Sequence, residues 1–310
     1  MVEPNTVIVV GGLMMNLMAW IPRRPLIGEA LIGTDFTMFV GGKGCNQAIA
    51  AARCGALTTM LGCIGTDIFA APFLQQLARE AIDTSKIVHD ARSGTGVALP
   101  LIGPDGERST VIIPRANMFL TQEHIAAAHD TICRAAVLLA QLEVPTPAIA
   151  AAAALSRFAG GQVILNASPV TMQTIPAELY QLTDILITSE IETYALTGIR
   201  ADNDANALLA AEALRALGPS SAIITLGRRG ALWVGPEGHE WVSAFPIESG
   251  DASAADDAFC GALAAKLARG AALKQALRYA SAAAALATLP TGTAPAFPPD
   301  SAIMALLAAW

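Results

Sequence analysis

Beyond residue 120 the chain repeats one simple unit. Helical stretches at Thr121–Arg134, Pro147–Phe158, Ile191–Leu196 and Ala205–Leu217 alternate with short apolar runs at Ala136–Gln141, Gln162–Leu165, Ile185–Thr188 and Ser221–Thr225. Neighbouring strands joined by helices must run parallel, and a parallel sheet needs helices on both faces. Before residue 120, where the rhythm changes, strands are expected at Val7–Val10 and Thr58–Ile64 and helices at Ala48–Ala56 and Phe69–Ala81. Ala231–Val234 and Glu240–Ala244 read as an antiparallel edge ribbon, and Ala255–Arg269 and Ala271–Ala287 as two long closing helices. Gly96–Ile102 and Ser109–Ile113 flank Pro104-Asp105-Gly106, the signature of a hairpin. The expectation is one doubly wound α/β domain over residues 1–310. Its sheet is mostly parallel, and segments 15–40 and 93–115 form a small β lid over one end. Thr121 and His124 fall in the first turn of their helix, and Asp204 is the expected N-cap of the next but two.

Several function classes are excluded on composition. A net charge of −7 and a pI near 5.1 leave no basic stripe for nucleic acid, although a local positive field could still hold a phosphate. Hydrophobic residues at 54% against 15% charged provide for a large core. The longest uncharged run, Tyr279–Pro299, is cut by Pro290, Gly292, Pro295 and Pro298, so no membrane span is expected. The apolar run Val7–Trp20 has no basic segment before it and is interrupted by Gly11, Gly12 and Asn16. It reads as a buried strand, not a signal peptide. Five cysteines without a C-x-x-C pair suit reduced thiols in a cytoplasm, and His124 and His129, five apart, give no zinc pattern.

In open parallel sheets, ligands sit beyond the carboxyl ends of the strands. The polar and glycine residues of this chain concentrate there: Gly41–Asn46, Glu143, Asn166, Ser189–Glu192, Thr225–Gly230 and Asp251–Asp257. Gly41-Gly42-Lys43-Gly44-Cys45-Asn46 lacks the spacing of a phosphate-binding P-loop. It is either a loop whose Lys43 and Asn46 donate to a hydroxylated ligand or a glycine turn feeding a helix. Asp251–Asp257 opens a helix, as a ligand-facing carboxylate group or as an ordinary cap. Thr225-Leu226-Gly227-Arg228-Arg229-Gly230 is a tight turn or a loop under a nucleotide phosphate, with arginines supplying positive charge.

Taken together and in order, these segments resemble the ribokinase-like carbohydrate kinase family. The resemblance runs through Gly-Gly-Lys-Gly-Cys-Asn-Gln-Ala (41–48), Gln-Leu-Glu (141–143), Asn-Ala-Ser-Pro (166–169), Leu-Thr-Gly-Ile (196–199), Ile-Thr-Leu-Gly-Arg-Arg-Gly (224–230) and Asp-Asp-Ala-Phe (256–259). It implies an ATP-dependent sugar kinase acting on the 5-hydroxyl of ribose or 2-deoxyribose. Asp257 matches the catalytic base, and Met14, Asn16, Gly42, Lys43, Asn46 and Glu143 match the sugar site. Ser189, Thr225, Leu226, Gly227, Arg228, Gly230, Asp256 and Ser281 match the ATP site. Glu192 matches the acid that organises Mg²⁺ through water. Asp251, Ser253, Thr288, Thr291 and Thr293 match the loops holding a monovalent cation such as K⁺. The resemblance also implies a homodimer paired through the lid.

Three positions depart from the family pattern. Asp256 stands where the family's anion hole has glycine, Ser189 replaces the asparagine of N-x-x-E, and Asn16 replaces an aspartate. Met14 stands where ribokinases have asparagine and deoxyribokinases methionine, and a thioether suits a carbon that bears no hydroxyl. A nucleoside or hexose kinase of the same fold, and a sugar or nucleotide sensor with weakened catalysis, remain as alternatives.

Overall fold

Alternation along the strands decides how the main sheet is buried. Val7 and Val9 of the first strand join one apolar layer and Ile8 and Val10 the other. Leu139 and Ile187 face the first layer, and Leu138 and Leu186 the second. A strand wholly buried in this way needs apolar residues at every position, because both faces meet helices.

The computed structural model describes residues 1–170, 174–247, 254–289 and 297–310. Its strands are β1 (Glu3–Val10), β2 (Met14–Trp20), β3 (Asp35–Gly41), β4 (Leu57–Gly65), β5 (Asp83–Asp90), β6 (Gly96–Ile102), β7 (Arg108–Ile113), β8 (Ala135–Gln141), β9 (Gln162–Asn166), β10 (Ile185–Ser189), β11 (Ser221–Thr225), β12 (Ala231–Gly235) and β13 (Gly238–Val242). The large sheet has the order β13-β12-β11-β10-β9-β8-β1-β4-β5. All its pairings are parallel except β11–β12 and β12–β13, the antiparallel edge ribbon. Helices Lys43–Arg53, Ala70–Arg79, Ala255–Ala268 and Leu273–Ala287 cover one face, and Thr146–Ala159 and Asp204–Ala216 lie on the other. The winding reverses between β1 and β8, which places the topological switch point at their carboxyl ends.

A second sheet has the order β3-β2-β6-β7. Its β6–β7 hairpin turns where Gly103 N–H donates to Glu107 O at 2.9 Å. The register sorts its two faces. Phe36, Met38, Leu17, Leu99, Val111 and Ile113 share one face, whereas Met14, Asn16, Met18 and Ala98 share the other. The second group is buried, yet Met14, Asn16 and Ala98 belong to neither main core layer. Asn117 ties the two sheets together. Its Oδ1 accepts from Leu13 N–H at 2.9 Å and its Nδ2 donates to Leu13 O at 2.9 Å, just where the chain passes from β1 to β2.

Four expectations are corrected. Val7–Trp20 is two strands in two sheets, because Gly11 and Gly12 turn the chain between them. The helix expected at Ala48 starts five residues earlier, at Lys43. Thr121–Arg134 is two six-residue helices, Gln122–Ala127 and His129–Arg134, parted at Ala128; Thr121 and His124 form a capping box at the first. The cap of Asp204–Ala216 is Asn203, whose side chain accepts from Asn206 N–H at 3.0 Å, so Asp204 is already inside the helix.

Candidate active site

Glu143 follows β8 at the switch point and is 4% exposed. Its Oε2 accepts from Lys43 N–H at 2.7 Å, and Gly44 N–H also donates to it. Cys45 N–H donates to Gly12 O at 3.1 Å. The first amides of the helix Lys43–Arg53, orphaned in any helix, are thus satisfied from outside. That explains how a glycine-rich segment of poor helix propensity can begin a helix. Gly42 at φ 88° precedes it, and a Cβ there would also lie 2.7 Å from Gly12 O. A Cβ on Gly12 would overlap Glu143 Oε2, so the β1–β2 turn and the carboxylate fit only as glycine against acid. The loop is a helix start built around a carboxylate. The amides of Lys43 and Gly44 are committed to Glu143.

The side chains of that helix converge on Asp257, which is 3% exposed in the first turn of Ala255–Ala268. Asn46 Nδ2 donates to its Oδ2 at 2.8 Å and Gln47 Nε2 to its Oδ1 at 2.9 Å, while Lys43 Nζ stands 4.0 Å from Oδ1. Burial works against the Lys43 ammonium, but Asp257, Glu143, Asp256 and Glu192 together hold its pKa above the ordinary lysine range. Burial pushes the Glu143 carboxyl up to about 7, with Lys43 and the two backbone amides pulling the other way. Met14 and Asn16 lie on the inner face of the second sheet. Met14 pairs with Gly41 and Gly96, and a Cβ on Gly41 would overlap Asn16 Nδ2. Met14, Asn16, Gly42, Lys43, Asn46, Glu143 and Asp257 are therefore placed around one end of the main sheet.

On the adjoining side of the same helix turn lies a cavity of about 220 Å³. Thr225, Gly227, Arg228 and Gly230 of the β11–β12 turn line it, with Asp256, Ser281 and Thr288. Its apolar wall, from Phe245, Ile247 and Phe259, was not foreseen, since nothing in those residue types distinguishes a cavity wall from core. Leu226 is 2% exposed and sits beneath the turn without lining the cavity. The turn is at once a tight link between strands and a cavity wall: Leu226 N–H donates to Gly230 O at 2.8 Å, and Gly230 has φ 92°. Of its two arginines only Arg228 faces the cavity. Arg229 pairs with Glu190 and donates to Ala201 O instead.

Consecutive side chains thus serve two compartments, Asp256 the cavity and Asp257 the Lys43 side. Burial raises the Asp256 pKa. Lys43 and a hydrogen bond with Thr225 oppose that, and Asp257 and Glu192 add to it. Ser281 Oγ is buried and has no hydrogen-bond partner among the described residues, an orphan facing a ligand-sized space. That orphan, the apolar walls and Arg228 suit a nucleotide. Thr288 lines the same cavity, and its hydroxyl donates to Ala285 O at 2.8 Å. Asp251, Ser253, Thr291 and Thr293 lie outside the described residues.

Ser189 caps the helix Glu190–Thr197, and its N–H donates to Glu192 Oε2 at 2.9 Å; the Ser189 hydroxyl also contacts that oxygen. Ser168 Oγ donates to Oε1 at 2.8 Å. Both Glu192 oxygens are therefore engaged, and neither Ser189 nor Glu192 lines the cavity. Among the described residues no cluster of three or more His, Cys, Asp or Glu is placed to hold a metal.

Gln47, Gln141 and Asn166 lie inside motifs quoted from the sequence, but no role was drawn for them. Gln141 Nε2 donates to Gln47 Oε1 at 2.6 Å, and Gln47 Nε2 also donates to Asn166 Oδ1 at 3.0 Å. Only the folded topology brings this helix and these two strand ends together.

A buried carboxylate beside a lysine, next to a cavity walled by the β11–β12 turn, is an arrangement suited to phosphoryl transfer, and the family match makes the chain an ATP-dependent carbohydrate kinase. The chain belongs to the pfkB family of carbohydrate kinases, which it matches over residues 5–300. It is 30% identical over 290 residues to a deoxyribokinase from Salmonella typhimurium, covering 94% of each chain. It is 33% identical over 300 residues to a bifunctional ribokinase/ribose-5-phosphate isomerase A from Fructilactobacillus sanfranciscensis; that match takes in 96% of this chain and 55% of the longer relative. The structure of Arabidopsis thaliana ribokinase complexed with ribose and ATP superposes with a TM-score of 0.91 at 27% identity, over 99% of both chains. No helix among the described residues is long and apolar enough to cross a membrane.

Proposed function

We propose that this kinase transfers the γ-phosphoryl group of ATP to the 5-hydroxyl of a pentose, with 2-deoxyribose preferred over ribose. The setting of Asp257 carries the reading. Its two oxygens each accept one amide hydrogen bond and keep a lone pair for the hydroxyl proton. Asp257 takes that proton as the sugar oxygen bonds to phosphorus and the bridging P–O bond to ADP breaks. The proton rests on Asp257, and Lys43 balances the charge left on the site. Amides of the first turn of Ala255–Ala268 are suited to meet the phosphoryl oxygens. Glu143 and Asn16 hold sugar hydroxyls, and buried Met14 faces the carbon that lacks one in deoxyribose. Mg²⁺ would neutralise phosphate charge, and Glu192, both of whose oxygens are already hydrogen-bonded, would hold it through water. A monovalent cation such as K⁺ belongs to loops 251–253 and 288–293 in this reading.

The second sheet serves as a lid, and its outer apolar face supports a homodimer: Phe36, Met38 and Val111 are all more than half exposed there. Five free thiols suit a cytoplasmic site of action. ADP release measured against ribose, 2-deoxyribose, fructose and adenosine tests the substrate; turnover on fructose or adenosine alone refutes the pentose assignment. Asp256, lining the cavity, favours one rival, a sugar or nucleotide sensor. That rival requires ligand binding with no ADP release on any of the four.

A further inference from the structure

We propose that Gln47 is a positioning residue for the reaction, holding the Asp257 carboxylate in the rotamer that meets the substrate hydroxyl. The inference rests on Asp257 being the base, as argued above. Gln47 is fully buried, and every polar atom of its side chain is used. Its two N–H bonds go to Asp257 Oδ1 at 2.9 Å and Asn166 Oδ1 at 3.0 Å, and its oxygen accepts from Gln141 Nε2 at 2.6 Å. Asn166 is anchored in turn, its Nδ2 donating to Ile187 O at 3.3 Å. A Cβ on Gly11 would overlap Gln141 Oε1, so the glycine at the end of β1 makes room for this relay. Turning the Gln47 amide over would set its oxygen against a carboxylate and a carbonyl and its nitrogen against a second amide N–H donor. Only one orientation is compatible with all three partners. Asn46, by contrast, is partly exposed and can exchange Asp257 for substrate. The relay therefore fixes one carboxylate oxygen from behind and leaves the other side of the group for chemistry.

The test uses kinetics on the full chain. Asp257 is faced by Lys43 and Cys45 from one helix, Glu143 from the end of β8, and Asp256 and Cys260 from its own helix. Gln47→Glu keeps the side-chain shape but sets a second carboxyl against Asp257. The pair then shares a proton, and the acid limb of the kcat–pH profile moves up by about one pH unit or more. That shift checks that residue 47 bears directly on the base; a fall in kcat at unchanged KM in the methionine variant separates positioning from a merely structural role. Gln47→Met lowers kcat by about 10- to 100-fold with KM for both substrates within about threefold, the range of a mispositioned general base. Should Gln47→Met fail to fold, Gln141→Met tests the same point. It keeps the bond to Asp257 but frees the Gln47 oxygen, and lowers kcat by about threefold or more at unchanged KM. An unshifted acid limb in Gln47→Glu, or kcat within twofold of wild type in the folded methionine variant, overturns the relay. Asp257→Asn run alongside separates the two readings. If it is inactive while the Gln47 variants are normal, only the relay fails; if it is active, the base assignment fails.

Discussion

Replacing Asp256 by glycine removes the carboxylate that the first turn of Ala255–Ala268 turns into the nucleotide cavity. Two unit charges about 4 Å apart cost roughly 4 kcal/mol at an effective dielectric of about 20. That repulsion has a ceiling, because the carboxyl can take up a proton instead. For an ordinary aspartate at neutral pH the ceiling is also about 4 kcal/mol, at about 1.4 kcal/mol per unit of pKa. Burial raises the Asp256 pKa, which lowers the ceiling, and Lys43 absorbs part of the field. A net penalty of about 1.4–3 kcal/mol remains, so Asp256→Gly raises kcat/KM for ATP by about 10- to 100-fold. The assay is ADP release at saturating sugar with ATP varied, from pH 6 to 8. Because burial raises the Asp256 pKa, protonation makes the native carboxyl neutral toward acid, and the advantage of glycine shrinks in that direction. Asp256→Asn, which removes the charge but keeps the bulk, recovers most of the gain. A wild-type kcat within the usual kinase range of about 1–100 s⁻¹, unchanged within twofold by either substitution across that pH range, refutes the electrostatic argument.

Three further outcomes follow from the same geometry. Asp257→Asn keeps the fold and sugar affinity but loses turnover by about a thousandfold or more, since an amide cannot take the hydroxyl proton; comparing kcat with sugar binding by calorimetry checks it. Met14→Asn shifts the ratio of kcat/KM toward ribose by about tenfold, and an unchanged ratio refutes the thioether's role. Glu143, with its folded pKa raised to about 7, contributes stability that is full below its unfolded pKa near 4.5 and is lost as pH rises toward 7. The difference in stability between Glu143→Gln and wild type, from urea melts at pH 4.5 and 8, should move in favour of the variant by about 2–3 kcal/mol as pH rises.

The parts of the site that carry chemistry were legible in the sequence because they follow strands that are themselves legible. Glu143 and Thr225 stand at the ends of buried apolar strands, and Lys43 and Asp257 in the first turns of helices. The start of the first helix was not, because the carboxylate that caps it lies 100 residues away along the chain. In the sequence Gln47, Gln141 and Asn166 are motif letters only; their mutual hydrogen bonds depend on one helix and two strands meeting, which no local pattern encodes. Strand β5 escaped for a different reason. It lies at the sheet edge, with Ile87 and Asp90 its buried residues, so it lacks both the apolar run of an interior strand and a clean alternation. The three departures proved informative once placed. Ser189 takes up a Glu192 oxygen through its own N–H, Asn16 packs on Gly41, and Asp256 enters the cavity.

The two hydrogen bonds from Asn117 to Leu13 have a mechanical meaning. They clamp the root of the four-stranded sheet, while β2 runs outward for seven residues, about 20 Å at roughly 3.3 Å per residue. The sheet is therefore a cantilever. A tilt of about 10° at the root sweeps the far tip near Trp20 through about 3.5 Å over a span of that length, yet hardly displaces Met14, which sits beside the clamp. Displacements of the tip, by solvent or by another molecule, would reach Met14 reduced several-fold. Met14, the residue proposed to discriminate between sugars, would stay almost still while the rest of its strand tilted.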